Sequence, residues 1–222
     1  MKRFFILAIV LLASFSALAQ SHEYAPLKEF ELKYKDWTYK TLQGDKEINL
    51  RANIKGKKLV MVVYFASWCP NWRNQAPFAE KLYQKYKGNG FDVIGVSEYS
   101  LLDDVKTNIA GNGTSYTIVV ESESRTAKQT TPHYEYRKET GDTRNWGSPW
   151  NIFLEPALLK KDGDVLVNKA FVVNGEMIEE EVEKFIRQKL GLPAEEIKKA
   201  ATAQNTAPEV CEEDPKLTLK KP

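Results

Sequence analysis

Two sulfur atoms set the limits on chemistry in this sequence. Cys69 lies in Trp68-Cys69-Pro70-Asn71-Trp72, Cys211 lies in Glu209-Val210-Cys211-Glu212-Glu213, and the 222 residues hold no other cysteine. Cys69 falls between an apolar run ending at Phe65 and a helical pattern that begins near Trp72. A thiol placed there faces the first helical turn, whose unsatisfied N–H groups and positive dipole end favour its thiolate. The thiolate is the reactive form, and helix N-termini lower a cysteine pKa below its free value of about 8.5. The plainer reading is a small, buried, apolar cysteine. Cys211 has acidic neighbours, Glu209, Glu212, Glu213 and Asp214, which disfavour its thiolate. Twenty residues separate it from Gly191, a flexible span of roughly 25 Å. Cys211 can therefore reach Cys69 as a resolving thiol or cap. Such a bridge closes a loop of about 140 residues, worth ~4–5 kcal/mol in the loop-entropy model before strain. The alternative is a solvent-exposed leftover.

Other candidates are weaker. His22 and His133 stand alone, and His133 is expected at the surface of a polar insert. Glu179-Glu180-Glu181 reads as a solvated helix face. No glycine-rich phosphate loop follows a strand, and no serine nucleophile elbow is present. Two histidines and two cysteines are too few for a dense metal cluster, so neither metal nor cofactor is expected.

The elements that must position Cys69 follow from periodicity. Leu59 to Phe65 is a β-branched and aromatic run, the pattern of a strand buried on both faces. From Trp72, Ala76, Ala79, Leu82, Tyr83 and Tyr86 recur at helical spacing, with Pro77 expected to kink the helix. Phe91–Val96, Tyr116–Val120, Trp150–Leu154 and Val165–Val173 read as further strands. Leu101–Ile109 and Met177–Leu190 read as helices, and 121–145 as a polar insert. Before these, Glu29–Trp37 and Glu47–Leu50 are expected to pair as a hairpin around Gln43-Gly44-Asp45. The order β-α-β-α-β-insert-β-β-α defines an α/β protein with a mixed central sheet flanked by helices.

Lys2 and Arg3, the apolar run Phe4–Phe15 and Ala17-Leu18-Ala19 have the form of a secretory signal peptide over residues 1–19. The run is shorter than the ~20 residues a membrane span needs. A bacterial periplasmic or secreted location follows, where disulfides persist. The formal charge of +2 comes from 32 Lys+Arg against 30 Asp+Glu. Removal of Lys2 and Arg3 balances the charge and leaves no basic stripe for nucleic acid. Residues 20–192 form the expected domain, and 193–222 a polar tail.

Val63-Tyr64-Phe65-Ala66-Ser67-Trp68-Cys69-Pro70 resembles the active-site segment of thioredoxin-like proteins, most closely the exported TlpA/ResA-like thiol–disulfide oxidoreductases. The leading hairpin with Lys55-Gly56-Lys57, Pro77 in the active-site helix, and Gly147-Ser148-Pro149 before a strand agree with that family over roughly residues 27–192. The resemblance implies a thioredoxin-like fold and a cis-proline at Pro149 facing Cys69. It also implies a partner-binding surface through Trp68, Pro70, Trp72, Ser148 and Trp150. Partners would be protein thiols and disulfides or low-molecular-weight thiols. Trp68, Trp72, Trp146 and Trp150 are expected to form an aromatic face around the thiol. A peroxiredoxin is excluded, because Ala66 stands where its threonine or serine would be.

Two departures bear on activity. The family motif is W-C-x-x-C, and Trp72 replaces the second cysteine. Gln75 stands where a glutamate is common. Resolution within the motif is therefore absent, and exchange would rest on Cys69 with Cys211 or an external thiol. The competing expectation is a redox-inactive binding or scaffolding module on the same fold.

Overall fold

The computed structural model describes residues 22–193. The expected signal peptide, and the tail with Cys211 apart from its first residue, lie outside the described residues.

The central strand β5 (Leu59–Phe65) is buried at all seven positions, as its unbroken apolar composition requires. It is flanked by β6 (Phe91–Ser97), parallel, and β8 (Trp150–Leu154), antiparallel. β7 (Thr117–Val120) extends the sheet beyond β6, and β9 (Val165–Val173) beyond β8. These five strands begin and end close to where the sequence pattern places them.

Side chains alternate across β5, so each face of the sheet has its own core. Leu59, Met61, Val63 and Phe65 pack with Trp72, Ala76, Ala79 and Leu82 of α2 (Pro70–Tyr86). Val105 of α3 (Leu102–Asn112) and Val182, Phe185 and Ile186 of α5 (Glu179–Leu190) join the same core. On the other face Val60, Val62 and Tyr64 pack with Trp150, Ile152, Leu154 and Tyr136 of α4 (Pro132–Glu139). Each such aliphatic or aromatic side chain contributes about 1.5–3 kcal/mol on full burial.

The N-terminal region pairs differently from the expected arms. A hairpin is present, but its arms are β3 (Thr38–Thr41) and β4 (Glu47–Asn49), turning through residues 42–46, and the one-turn helix α1 (Leu50–Asn53) follows it. The preceding strand, β2 (Lys28–Lys35), pairs instead with β9. The full order is β2-β9-β8-β5-β6-β7-β3-β4, with β2 and β4 at opposite edges. Only Asp36 and Trp37 separate β2 from β3, so the chain passes across one face of the sheet. Tyr34 and Trp37 are buried there: the two tyrosine hydroxyls of Tyr34 and Tyr64 lie 2.9 Å apart, and Trp37 Nε1 donates to Tyr34 at 3.0 Å. The apolar alternation of Phe30, Leu32 and Tyr34 marks a strand but does not say which edge receives it.

Met177 also departs from expectation. It belongs to β10 (Glu176–Met177), paired in parallel with β1 (Tyr24–Ala25), and α5 starts two residues later. The polar insert folds into a 3-10 turn, Arg125–Thr130, followed by α4, whose N-terminus is capped by Thr131. Among the described residues no helix is long and apolar enough to cross a membrane.

Candidate functional site

Cys69 is the N-cap of α2, with extended backbone (φ −74°, ψ 123°), and its side chain makes no capping bond. Pro70 takes the first helical position, where a missing N–H costs nothing. The sulfur therefore sits at the positive end of a 17-residue helix. Its neighbour across the site is the one expected: Ser148–Pro149 is a cis peptide, and Cys69 Sγ lies 3.1 Å from the Ser148 carbonyl oxygen. Ser148 Oγ accepts a bond from Ala66 N at 2.9 Å, locking the loop before Cys69 to the cis-proline segment. Cys69 is fully buried and disulfide-bonded.

The cis-proline segment is held from behind. Arg144 donates to the Pro149 carbonyl (2.9 Å) and pairs with Asp142 (2.8 Å) and Glu23 (3.0 Å), while Arg137 Nε reaches Asp142 at 3.1 Å. Burial alone would raise the Asp142 carboxyl; the Arg144 hydrogen bonds and the charges of Arg144 and Arg137 outweigh it and hold Asp142 below the usual carboxylate range. Gly147 completes this arrangement. Its φ of +59° favours glycine, and a Cβ there would collide with the Arg137 guanidinium.

The position of the missing second cysteine is filled by core. Trp72 is fully buried and stacks on Phe65, with ring centroids 4.3 Å apart. Gln75, three residues on, forms reciprocal amide bonds with Asn151 (2.7 and 3.2 Å) and accepts from Met177 N at 3.0 Å. The Asn151 amide nitrogen also donates to the Gly175 carbonyl at 2.9 Å, which fixes its orientation. This network needs a donor at position 75, which an ionised glutamate could not supply.

The expected aromatic face is not open. Trp72 and Trp150 are fully buried, Trp146 is buried and Trp68 is half-buried. Trp150 packs into the opposite core and donates to Asn174 Oδ1 at 2.8 Å. Trp68 and Trp146 do meet edge to face (5.2 Å), but cations from the insert cover them, Arg125 over Trp68 at 4.4 Å and Lys128 over Trp146 at 4.5 Å. A cleft of about 360 Å³ opens beside Trp68, between Tyr99, Leu101, Asp104, Glu123 and Arg125.

Sequence reasoning missed the loop after β6. Glu98 N donates to the Phe65 carbonyl (2.7 Å), Ser67 N donates to Ser100 Oγ (2.9 Å), and Trp68 Nε1 donates to the Tyr99 carbonyl (3.0 Å). Tyr99 adopts φ +53°, the left-handed region. The Glu98 side chain is fully buried and shares a side-chain hydrogen bond with Glu121. Burial, and next the charge of Glu121, hold the Glu98 carboxyl well above the usual carboxylate range. Glu121 in turn accepts a short bond from the Tyr39 hydroxyl. A glutamate directly after a β-strand pattern was the only available signal, and it reads as a turn residue.

His133 is not a surface residue. It is fully buried, stacked on Tyr64 (4.8 Å, 8°), with Nδ1 3.3 Å from the Tyr99 hydroxyl. Burial, with the charges of Arg137 and Arg144, keeps it well below the ordinary histidine value and therefore neutral. The polar insert misled here, because α4 turns one side into the core.

A buried parallel–antiparallel sheet, a cysteine at the start of the first long helix and a cis-proline against its sulfur define a thioredoxin-like fold. The Redoxin family profile matches residues 25–139, just over half of the chain, and the chain belongs to that family. A search of curated proteins gives no match. Similar solved structures include a secreted thiol-disulfide isomerase from Corynebacterium glutamicum (16% identity, TM-score 0.55, covering 73% of this chain and 92% of that one). Another is a thiol:disulfide interchange protein from a Bacteroides species (20%, 0.52, 75% and 93%). A third is a thiol:disulfide interchange protein of the thioredoxin family from Chlorobium tepidum (21%, 0.51, 72% and 97%). At these identities the likeness is one of fold.

Proposed function

We propose that this chain is an exported thiol–disulfide exchange protein that works through Cys69 as its single active-site thiol, with Cys211 as the intrachain partner. The carrying observation is the position of Cys69 Sγ, at the N-terminus of α2 and 3.1 Å from the carbonyl of the cis Ser148–Pro149 bond. The helix end favours the thiolate, and the backbone before the cis-proline gives an extended partner segment something to pair with.

In this reading the Cys69 thiolate attacks a sulfur of a partner disulfide, forms a mixed disulfide and releases the partner's other sulfur as a thiolate. Trp72 carries no sulfur, so a second thiol must come from elsewhere. The disulfide-bonded state of Cys69, in a chain with one other cysteine, supports Cys211 in that part. The signal-peptide pattern of residues 1–19 and a site dependent on a stable disulfide support export. The buried Trp72 and the amide network at Gln75 favour a second reading, in which the fold is a redox-inactive binding module and Cys69 is structural.

Intact mass of the mature protein, purified without reductant from its export compartment, before and after reduction and alkylation, separates the two. Exchange predicts a Cys69–Cys211 bridge or a mixed disulfide that mild thiols open under native conditions. A Cys69 that becomes alkylatable only in denaturant would overturn it and leave the binding module.

A further inference from the structure

Cations surround the site on the side of the insert. Arg125 lies over the ring of Trp68, the residue next to Cys69, and Lys128 lies over Trp146. Arg73, one turn along α2 from Cys69, is exposed and directs Nε to the Ser67 carbonyl at 2.9 Å. Arg125 and Lys128 are half-buried; the aromatic rings orient these two, and Lys128 Nζ also donates to Asn145 Oδ1 at 2.7 Å. The chain itself carries the complementary charge: Glu209, Glu212, Glu213 and Asp214 bracket Cys211.

We propose that Arg73, Arg125 and Lys128 form a docking rim for the acidic segment 209–214, and that this docking sets Cys211 against Cys69. The inference rests on the Cys69–Cys211 pairing and adds what guides it. The tail leaves the domain at Pro193, whose carbonyl is held by Arg187 at 3.0 Å. Eighteen residues from there to Cys211 span about 23 Å as a flexible coil and at most ~60 Å extended. A domain of this size has a radius of gyration near 15 Å, so the reach suffices. Asp104 and Glu123 also line the cleft beside Trp68, so the attraction must come from the cations seated on the two tryptophans and on α2.

The rim also answers a chemical difficulty. Acidic neighbours disfavour the Cys211 thiolate in solution, and three cations beside the docked segment offset them. Cys211 thus becomes nucleophilic where Cys69 waits. The sequence of steps balances. Cys69 thiolate attacks a partner disulfide, giving Cys69–S–S–R and R–S⁻. Cys211 thiolate then attacks Cys69 Sγ, forms the intrachain bridge and expels the second R–S⁻. Two protein thiols are oxidised, and one partner disulfide is reduced to two thiols.

The test uses the reduced, full-length mature protein and bis(2-hydroxyethyl) disulfide, a neutral oxidant, with acid quenching and mass spectrometry. The readout is the rate of ring closure divided by the rate of Cys69 attack in the same protein. Exposed ion pairs are individually weak, and two or three together change this ratio about tenfold. The ratio should fall about tenfold in R125A/K128A, in E209Q/E212Q/E213Q, and in the wild type at about 1 M salt. Combining the two sets of substitutions should add little. Closure that ignores both charge and salt overturns the docking alone; a wild-type protein that never closes the ring overturns the pairing and the docking with it. The salt series needs no substitution, so a misfolded variant does not rescue the idea.

Discussion

Gln75→Glu places a carboxyl where the family commonly has one, inside a network built for an amide. When protonated, the introduced carboxyl can reproduce the native bonds: its hydroxyl donates to Asn151 Oδ1, and its carbonyl oxygen accepts from Met177 N and Asn151 Nδ2. When ionised it loses its donor and sets a carboxylate against Asn151 Oδ1. Asn151 cannot turn away without giving up its bond to Gly175. A buried acceptor left in this state costs about 1–3 kcal/mol. The folded-state pKa of the introduced carboxyl is thereby raised above its unfolded value of about 4.3. The variant is then fully stable below that value and loses stability as pH rises through the folded pKa. A domain of about 170 residues has an unfolding entropy near 0.36 kcal/mol/K, so the loss is roughly 3–8 °C in Tm. Circular dichroism melts of wild type and Q75E at about pH 3.5 and about pH 7.5 measure it directly. The two proteins should melt together at the lower pH and separate at the higher one. An equal offset at both values, or none, would refute the account of the network.

Two further outcomes follow from the same packing. The Glu98 carboxyl is raised by burial and by Glu121, so the wild type should lose stability as pH climbs above the ordinary glutamate range; E98Q should flatten that slope, and unchanged Tm-versus-pH curves would show that Glu98 is not held neutral. Gly147→Ala forces a left-handed alanine, costing about 1–2 kcal/mol, and displaces Arg137 from a buried pair with Asp142 worth ~3–5 kcal/mol to break. The urea midpoint should drop by the equivalent of at least ~3 kcal/mol; a drop of only about 1–2 kcal/mol would mean that Arg137 has another place to go, and a wild-type midpoint would refute both costs.

What the sequence made legible depended on local, repeated signals. Leu59–Phe65 and Trp150–Leu154 were readable because a strand buried on both faces must be apolar throughout. Cys69 and Pro149 were readable through a motif whose parts sit next to each other in the chain. The partners of Lys28–Lys35 were not, because an alternating strand looks the same at either edge. His133 was misplaced because its neighbours are polar, while its own position on α4 points inward between Tyr64 and Trp150. The tryptophans were grouped by type, whereas pleat and helix phase sent Trp150 and Trp72 into opposite cores. The Glu98–Glu121 pair joins residues from two strand ends and left no local trace at all.

The two-residue link at Asp36–Trp37 has a consequence for recognition. One short N-terminal stretch closes both flanks of the five-stranded core sheet: β2 covers β9, and β3 with β4 covers β7. A visiting peptide therefore finds no open backbone ladder on the core itself. It must compete with β2 or β4, or dock on the loops around Cys69. A proteolytic cut in that link would sever only β2 from the rest of the domain, because β3 and β4 remain joined to β5; loss of β2 would open the β9 edge alone.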